Sequence, residues 1–287
     1  MEKKFIITTD STCDAGRSYL EKLDVNFIYF NFNDETNSYF DEMKAEQNAW
    51  FYQKMKEGTI FKTSQININQ YYDFFLNESK KGYPIIHISI CEGISNSVNN
   101  ARLAALNLKS KGIKVYVIDS TVGCLGTYLA VKKAYELQQE GKDIEETLDI
   151  LNESNKKIRT YFTTDDLTYF ARGGRVSKGK FIISKLLHIS VILNTDEKGS
   201  LKVVDIARGK KKTYRKILDK IKEEVVKPEE QTLYLTQALN LEGAKEIAEY
   251  ILKEIPFKDY EIHENGPTVV SHSGPGVIAL FYYGNNK

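Results

Sequence analysis

His272 and Ser273 open the stretch His272-Ser273-Gly274-Pro275-Gly276, which gathers an imidazole, a hydroxyl and lightly encumbered backbone N–H groups into one turn. Three kinds of chemistry fit that set. It can bind a small anion, it can supply half of a nucleophile and base pair, or the histidine can hold the turn together. The preceding Thr268-Val269-Val270 is apolar and β-branched, which predicts a strand over 268–271 that ends in the turn.

Other hydroxyls stand where anions are bound. Thr63-Ser64-Gln65 precedes a helical stretch over 69–80, and Ser95-Asn96-Ser97 precedes an alanine-rich helix. Both read as helix starts, whose exposed amides carry partial positive charge and can hold a carboxylate or phosphate without a lysine. Ordinary capping by Ser and Thr explains the same residues. Asp10-Ser11-Thr12-Cys13-Asp14 follows the first apolar run directly and reads either as a polar pocket wall with Ser11 or as an N-cap. In Arg172-Gly173-Gly174-Arg175 the glycines permit a left-handed helix end, and Arg175 can face an anion or an acidic residue across the fold. A serine hydrolase acting on an acyl ester would use Ser95 or Ser273 with His272. The chain has no Gly-x-Ser-x-Gly elbow, which weighs against that alternative. It has no Walker or dinucleotide glycine loop either.

Composition narrows the classes further. Forty Lys and Arg against 39 Asp and Glu leave a net charge of +1, too little to provide a field for nucleic acid. The run Phe5-Ile6-Ile7 is too short for a signal-peptide core or a membrane span, so a cytoplasmic protein is expected. Cys13, Cys91 and Cys124 have neither disulfide nor zinc-site spacing; reduced thiols and no metal are expected.

These groups need a scaffold. Short apolar runs over 5–9, 25–32, 83–90 and 115–119 alternate with amphipathic segments, as a parallel sheet with crossover helices requires. In such a sheet the loops beginning at Asp10, Ile90 and Asp119 share the ligand rim. After a helix over 145–156 the rhythm changes. A strand over 157–163, a hairpin over 189–206, and helices over 212–226 and 241–254 alternating with strands over 232–236 and 260–263 predict a mixed α+β layer. At about 100–200 residues per domain the length suits two, over 1–156 and 157–287.

Taken in order and spacing, these motifs resemble the DegV family over nearly the whole chain: Asp10-Ser11-Thr12, Thr63-Ser64-Gln65, the Ser95 helix start, Val117-Ile118-Asp119-Ser120, Leu167 with Gly173-Gly174-Arg175, and the His272 turn. The resemblance implies an α/β protein of two domains, an N-terminal α/β/α domain with a mainly parallel sheet and a C-terminal α+β domain with a mixed sheet, enclosing a long-chain fatty acid between them. It implies a lipid-binding subunit without catalysis of its own or a cofactor, presenting the acid to a separate ATP-dependent fatty acid kinase subunit that forms acyl phosphate. It assigns the carboxylate to Thr63, Ser64 and Ser95 with His272 beside them, aligns Arg175 with the family's Gly-Gly-Arg position, and places Arg208 on the kinase-facing surface. Ser11, Asn96 and Ser273 stand near this network. The chain departs from the family in having Ile66 where proline commonly follows Thr-Ser-Gln, and Asn96 where a glycine is common. A buried carboxylate needs convergent donors, which the hydroxyls and an imidazolium at His272 would supply.

Overall fold

The computed structural model describes residues 3–176 and 189–286; Met1, Glu2, 177–188 and Lys287 lie outside them. The apolar runs of the first part become β1 (Ile6–Asp10), β2 (Asn26–Ile28), β6 (Ile85–Ser89) and β7 (Val115–Asp119), hydrogen-bonded in the order β2-β1-β6-β7 and parallel throughout. Successive residues of a strand point to opposite faces, and the helices divide accordingly. Ile6 and Ile85 pack beneath α3 (Ile68–Ser79) and α4 (Ser97–Lys109) with Tyr71, Phe75, Ala101 and Ala104. Phe5, Ile7, Ile86 and Ile88 pack on the other side with Ala130, Val131 and Ala134 of α5 (Leu125–Gln139), against which α6 (Ile144–Asn155) lies. The expected rim forms: the amide of Ile90 donates to Asp10 at 2.9 Å and that of Glu92 to Asp119 at 3.0 Å.

The run over 25–32 divides between two sheets. Only β2 joins the parallel sheet; β3 (Asn31–Asn33) sits between β4 (Ser38–Phe40) and β5 (Lys62–Ser64) in a small antiparallel sheet. Thr63 and Ser64 therefore lie on a strand and not at the predicted helix start. The helix α3 begins later, capped by Asn67 and Gln70 in a reciprocal box.

From residue 158 the chain builds a six-stranded mixed sheet, β10-β9-β8-β13-β11-β12, from β8 (Ile158–Thr164), β9 (Ile189–Thr195), β10 (Leu201–Arg208), β11 (Thr232–Gln237), β12 (Asp259–Glu264) and β13 (Ile278–Tyr283). Only β11 and β12 run parallel; the other neighbours are antiparallel. One face, with Ile192, Leu235, Leu280 and Tyr282, is buried with Ile217 and Ile247 of α8 (Lys210–Glu224) and α9 (Leu241–Leu252). The opposite face, with Phe162, Tyr234, Ala279 and Phe281, joins the same core cluster as α5 and the parallel sheet. The β9–β10 turn reaches over to the first sheet's rim, where Gly93 N–H donates to the Lys198 carbonyl at 2.9 Å.

The strand expected over 268–271 is a helix, α10 (Pro267–Ser273). β-branched Thr268, Val269 and Val270 read locally as strand, but Pro267 is preorganised for a first helical turn. Carboxylates far away in sequence accept the free amides at that end: Gly266 N–H donates to Asp14 at 3.0 Å and Thr268 N–H to Asp41 at 3.1 Å. Tertiary capping overrides local propensity here.

Candidate functional site

His272 and Ser273 lie on the last turn of α10, which Gly274 ends at φ 75°. A side chain at Gly274 would overlap the ring of Tyr169 on the neighbouring helix α7 (Thr168–Arg172). Close packing of α7 on α10 also requires Gly173, since a β-carbon there would run into Nδ1 of His272. The next glycine, Gly174, takes the left-handed conformation expected of it (φ 73°) and turns the chain so that Arg175 reaches back.

Both ring nitrogens of His272 are engaged. Nη1 of Arg175 lies 3.4 Å from Nδ1, and Oγ1 of Thr63 lies 2.6 Å from Nε2. A guanidinium can only donate, so Nδ1 accepts and the neutral ring carries its proton on Nε2, which donates to Thr63; the tautomer follows from the network. Thr63 then has its own hydroxyl proton left to donate to something else. Burial, followed by the charge of Arg175, pushes the imidazole pKa down to about 4. The expected imidazolium is thus a neutral imidazole at pH 7. Arg175 is fixed in turn by donating to the carbonyls of Ile94 at 3.2 Å and Gly173 at 2.6 Å, and burial lowers its pKa.

Thr63, Ser95, Arg175, His272 and Ser273 line one cavity, with about 110 Å³ open to the centre of a water molecule. Its other walls carry four phenylalanines, Phe30, Phe162, Phe170 and Phe281, and aliphatic groups such as Ile90 and Val277. The inward face of the mixed sheet forms one wall, and the rim loops of the parallel sheet form another. Ser95, buried before α4, donates to Ser97 at 3.0 Å. The hydroxyl of Ser273 is buried and has no partner among the described residues.

Several expected site residues are placed elsewhere. Ser64 is exposed, accepts from Asn33 Nδ2 at 3.3 Å and does not line the cavity, because alternation along β5 turns it away from Thr63. Ser11 is buried but accepts from the amide of Phe30 at 3.0 Å, a structural role; Thr12 next to it lines the cavity. Asn96 is exposed and accepts from Asn99 at 2.8 Å, so this departure from the family pattern projects outward. Ile66 is buried, and its amide, which proline would lack, donates to Ser97 Oγ at 3.2 Å. Arg208 is exposed at the end of β10, outside the cavity.

The pairing required of a serine hydrolase is not formed. Thr63 and Arg175 occupy the ring nitrogens of His272, and no serine hydrogen-bonds to it among the described residues. Burial raises the thiols of Cys13 and Cys124 well above their ordinary pKa, so neither is an activated nucleophile. Among the described residues, no group of three or more His, Cys, Asp or Glu side chains could hold a metal ion, and no helix is long and apolar enough to cross a membrane.

The motifs left out Thr160, Thr236, Thr268 and Asn265, which also line the cavity; each carries a buried oxygen without a partner among the described residues. Thr160 and Thr236 sit on strands whose alternation was readable, but which face turns inward depends on what packs there.

The model of the DegV family of uncharacterised proteins matches residues 4–285. A DegV domain-containing protein of Clostridium perfringens is 32% identical over 288 residues, covering 99% of each chain. Among solved structures, a Thermotoga maritima protein described as revealing a fatty acid binding function is 28% identical with a TM-score of 0.86, over 99% of this chain and 100% of that one. DegV of Bacillus subtilis, described as a fatty acid binding protein, is 25% identical with a TM-score of 0.84, over 99% and 100%. The chain belongs to the DegV family.

Proposed function

We propose that the cavity binds a long-chain fatty acid and presents its carboxylate to a separate ATP-dependent kinase subunit for phosphorylation to acyl phosphate. The observation that carries the reading is the chain Arg175–His272–Thr63, which ends on a hydroxyl with a proton to donate into a cavity walled by phenylalanines. Burying methylenes gains about 0.8 kcal/mol each, about 12 kcal/mol gross for a sixteen-carbon chain before ordering costs. The carboxylate alone opposes burial, and Thr63 and Ser273 are the donors at hand, the hydroxyl proton of Ser95 being held by Ser97.

In this reading the chain shields the tail and holds the head, and the partner supplies nucleotide, metal and transfer chemistry. Its own contribution is positioning. His272 acts through Thr63, Arg208 lies on a surface a partner can reach, and the chain divides near residue 156 into two domains that clasp the ligand. An ATP-using partner implies a cytoplasmic setting.

Mass spectrometry of an organic extract, with calorimetric titration of the delipidated protein, tests the ligand. Stoichiometric fatty acid and saturable binding are expected; neither extract nor titration showing any would overturn the reading. Adding an ATP-dependent fatty acid kinase subunit should give acyl phosphate, and a His272→Ala protein that still binds fatty acid should be phosphorylated at least tenfold more slowly. An unchanged rate removes His272 from the positioning role.

A further inference from the structure

On the face of the mixed sheet turned away from the cavity, the end of β8, the start of β9 and the start of α8 surround a second depression. Thr163, Ser190, Gly209, Lys210, Thr213 and Asn240 line it, with about 260 Å³ open to water centres. Thr163 stands opposite Ile278 and Ile192 in the sheet register, so its side chain points to the side covered by α8 and α9. It is 7% exposed, and its Oγ1 has no hydrogen-bond partner among the described residues. Buried hydroxyls are nearly always paired, and one that is not asks for a missing acceptor or donor.

The start of α8 asks for the same thing. This 15-residue helix has Gly209 as its N-cap and no side-chain capping bond. The amides of Lys212 and Thr213 return to the Gly209 carbonyl at 3.1 and 3.2 Å, while helix geometry leaves those of Lys210 and Lys211 without an intrahelical acceptor. Lys210, Lys211 and Lys212 fill the first turn, which has no acidic residue, and Arg208 precedes it. Cations there oppose the positive end of the helix dipole. Lys210 pairs with Glu246, but Arg208, Lys211 and Lys212 have no ion-pair partner among the described residues. Asp165, exposed at the rim, is the one carboxylate lining the depression among the described residues.

We infer that the start of α8 is a binding site for a phosphate group, as the free ion or a monoester, held by the amides of Lys210 and Lys211 and the hydroxyl of Thr163. A tetrahedral oxyanion has the acceptors for all three donors. The lysines and Arg208 supply the field that offsets its charge, and the space exceeds a bare ion, leaving room for an ester substituent. This site is separate from the fatty-acid cavity and stands without that reading.

The test titrates the full chain, at constant ionic strength, with inorganic phosphate, methyl phosphate and chloride, following backbone amides by NMR. Saturable shifts of Lys210, Lys211 and Thr163 are expected with either phosphate compound; the tighter one identifies free ion or ester as the occupant. Thr163→Val should weaken the midpoint about tenfold, as for a lost hydrogen bond to a charged group, and Thr163→Ser should restore it, with undisturbed spectra elsewhere confirming the fold. Shifts that stay linear, match those of chloride, or survive Thr163→Val unchanged would overturn the assignment.

Discussion

Nε2 of His272 lies 2.6 Å from Oγ1 of Thr63, a contact that joins residues 209 positions apart in the chain. Because Arg175 occupies the other ring nitrogen, the direction of the bond is determined: imidazole donates, threonine accepts, and the threonine proton points onward. The imidazole thereby orients a hydroxyl without carrying charge.

The neutral state of His272 can be read directly. Long-range nitrogen–proton NMR should show the Nε2–H tautomer at pH 7 and a titration midpoint near 4, the value to which burial and Arg175 push it. With a folded pKa below the unfolded value of about 6.5, this group's contribution to stability is present above that pH and lost as pH falls toward 4. A midpoint at or above 6.5 would show that the Arg175–His272–Thr63 chain is not formed.

Gly173→Ala tests whether the ring position matters separately from its chemistry. A β-carbon at 173 collides with Nδ1 of His272, so the ring must shift away from Thr63 or α7 from α10. Overpacking of this kind costs about 1–3 kcal/mol. The expected outcome is a folded protein with lower melting temperature and fatty acid affinity reduced about tenfold or more. Unaltered affinity in calorimetry would mean that the ring position does not govern the head of the cavity.

The capping of α10 predicts a pH dependence in the opposite direction. Asp14 accepts from Gly266 N–H at 3.0 Å and Asn265 Nδ2 at 2.7 Å, and burial, with the charge of nearby Asp41, pushes its pKa up to about 8. Asp41 is raised to about 6, chiefly by burial. A raised carboxyl pKa means that the folded state holds the proton more tightly, so the stability from Asp14 is full below about pH 4 and declines as pH rises to about 8. Asp14→Asn should flatten that decline, which has a limiting slope of about 1.4 kcal/mol per pH unit, in urea unfolding between pH 5 and 9. The amide is accommodated by turning over Asn265, whose Oδ1 has no partner among the described residues. An identical slope in wild type and variant would rule out Asp14 as its source.

Much of the scaffold was legible because it rests on local periodicity. The run Val115–Asp119 is apolar up to its terminal acidic residue, and Leu241–Leu252 repeats its apolar residues at helical spacing; both elements form where the pattern puts them. The run over 25–32 reads as one strand because only Asn26 and Asn31 interrupt its apolar character. Its division between two sheets depends on β5, from a segment about thirty residues later, pairing with β3. Among the expected site residues, Thr63, Ser95, Arg175, His272 and Ser273 line the cavity. Ser64 does not, because being adjacent in sequence on a strand means facing the other way.

Residue type and order by themselves determined most strands of the two larger sheets, the helices packed on them and the family motifs, because hydrophobic period and turn residues act within a few positions along the chain; β4, β5 and the central strand β13 are not among the expected strands. Only the tertiary structure decided that the segment before His272 is a helix, since its capping carboxylates come from Asp14 and Asp41 more than two hundred residues away. It likewise decided the charge of His272. The protonation of an imidazole depends on burial and on its neighbours, and Arg175 and Thr63 become neighbours only when the chain folds.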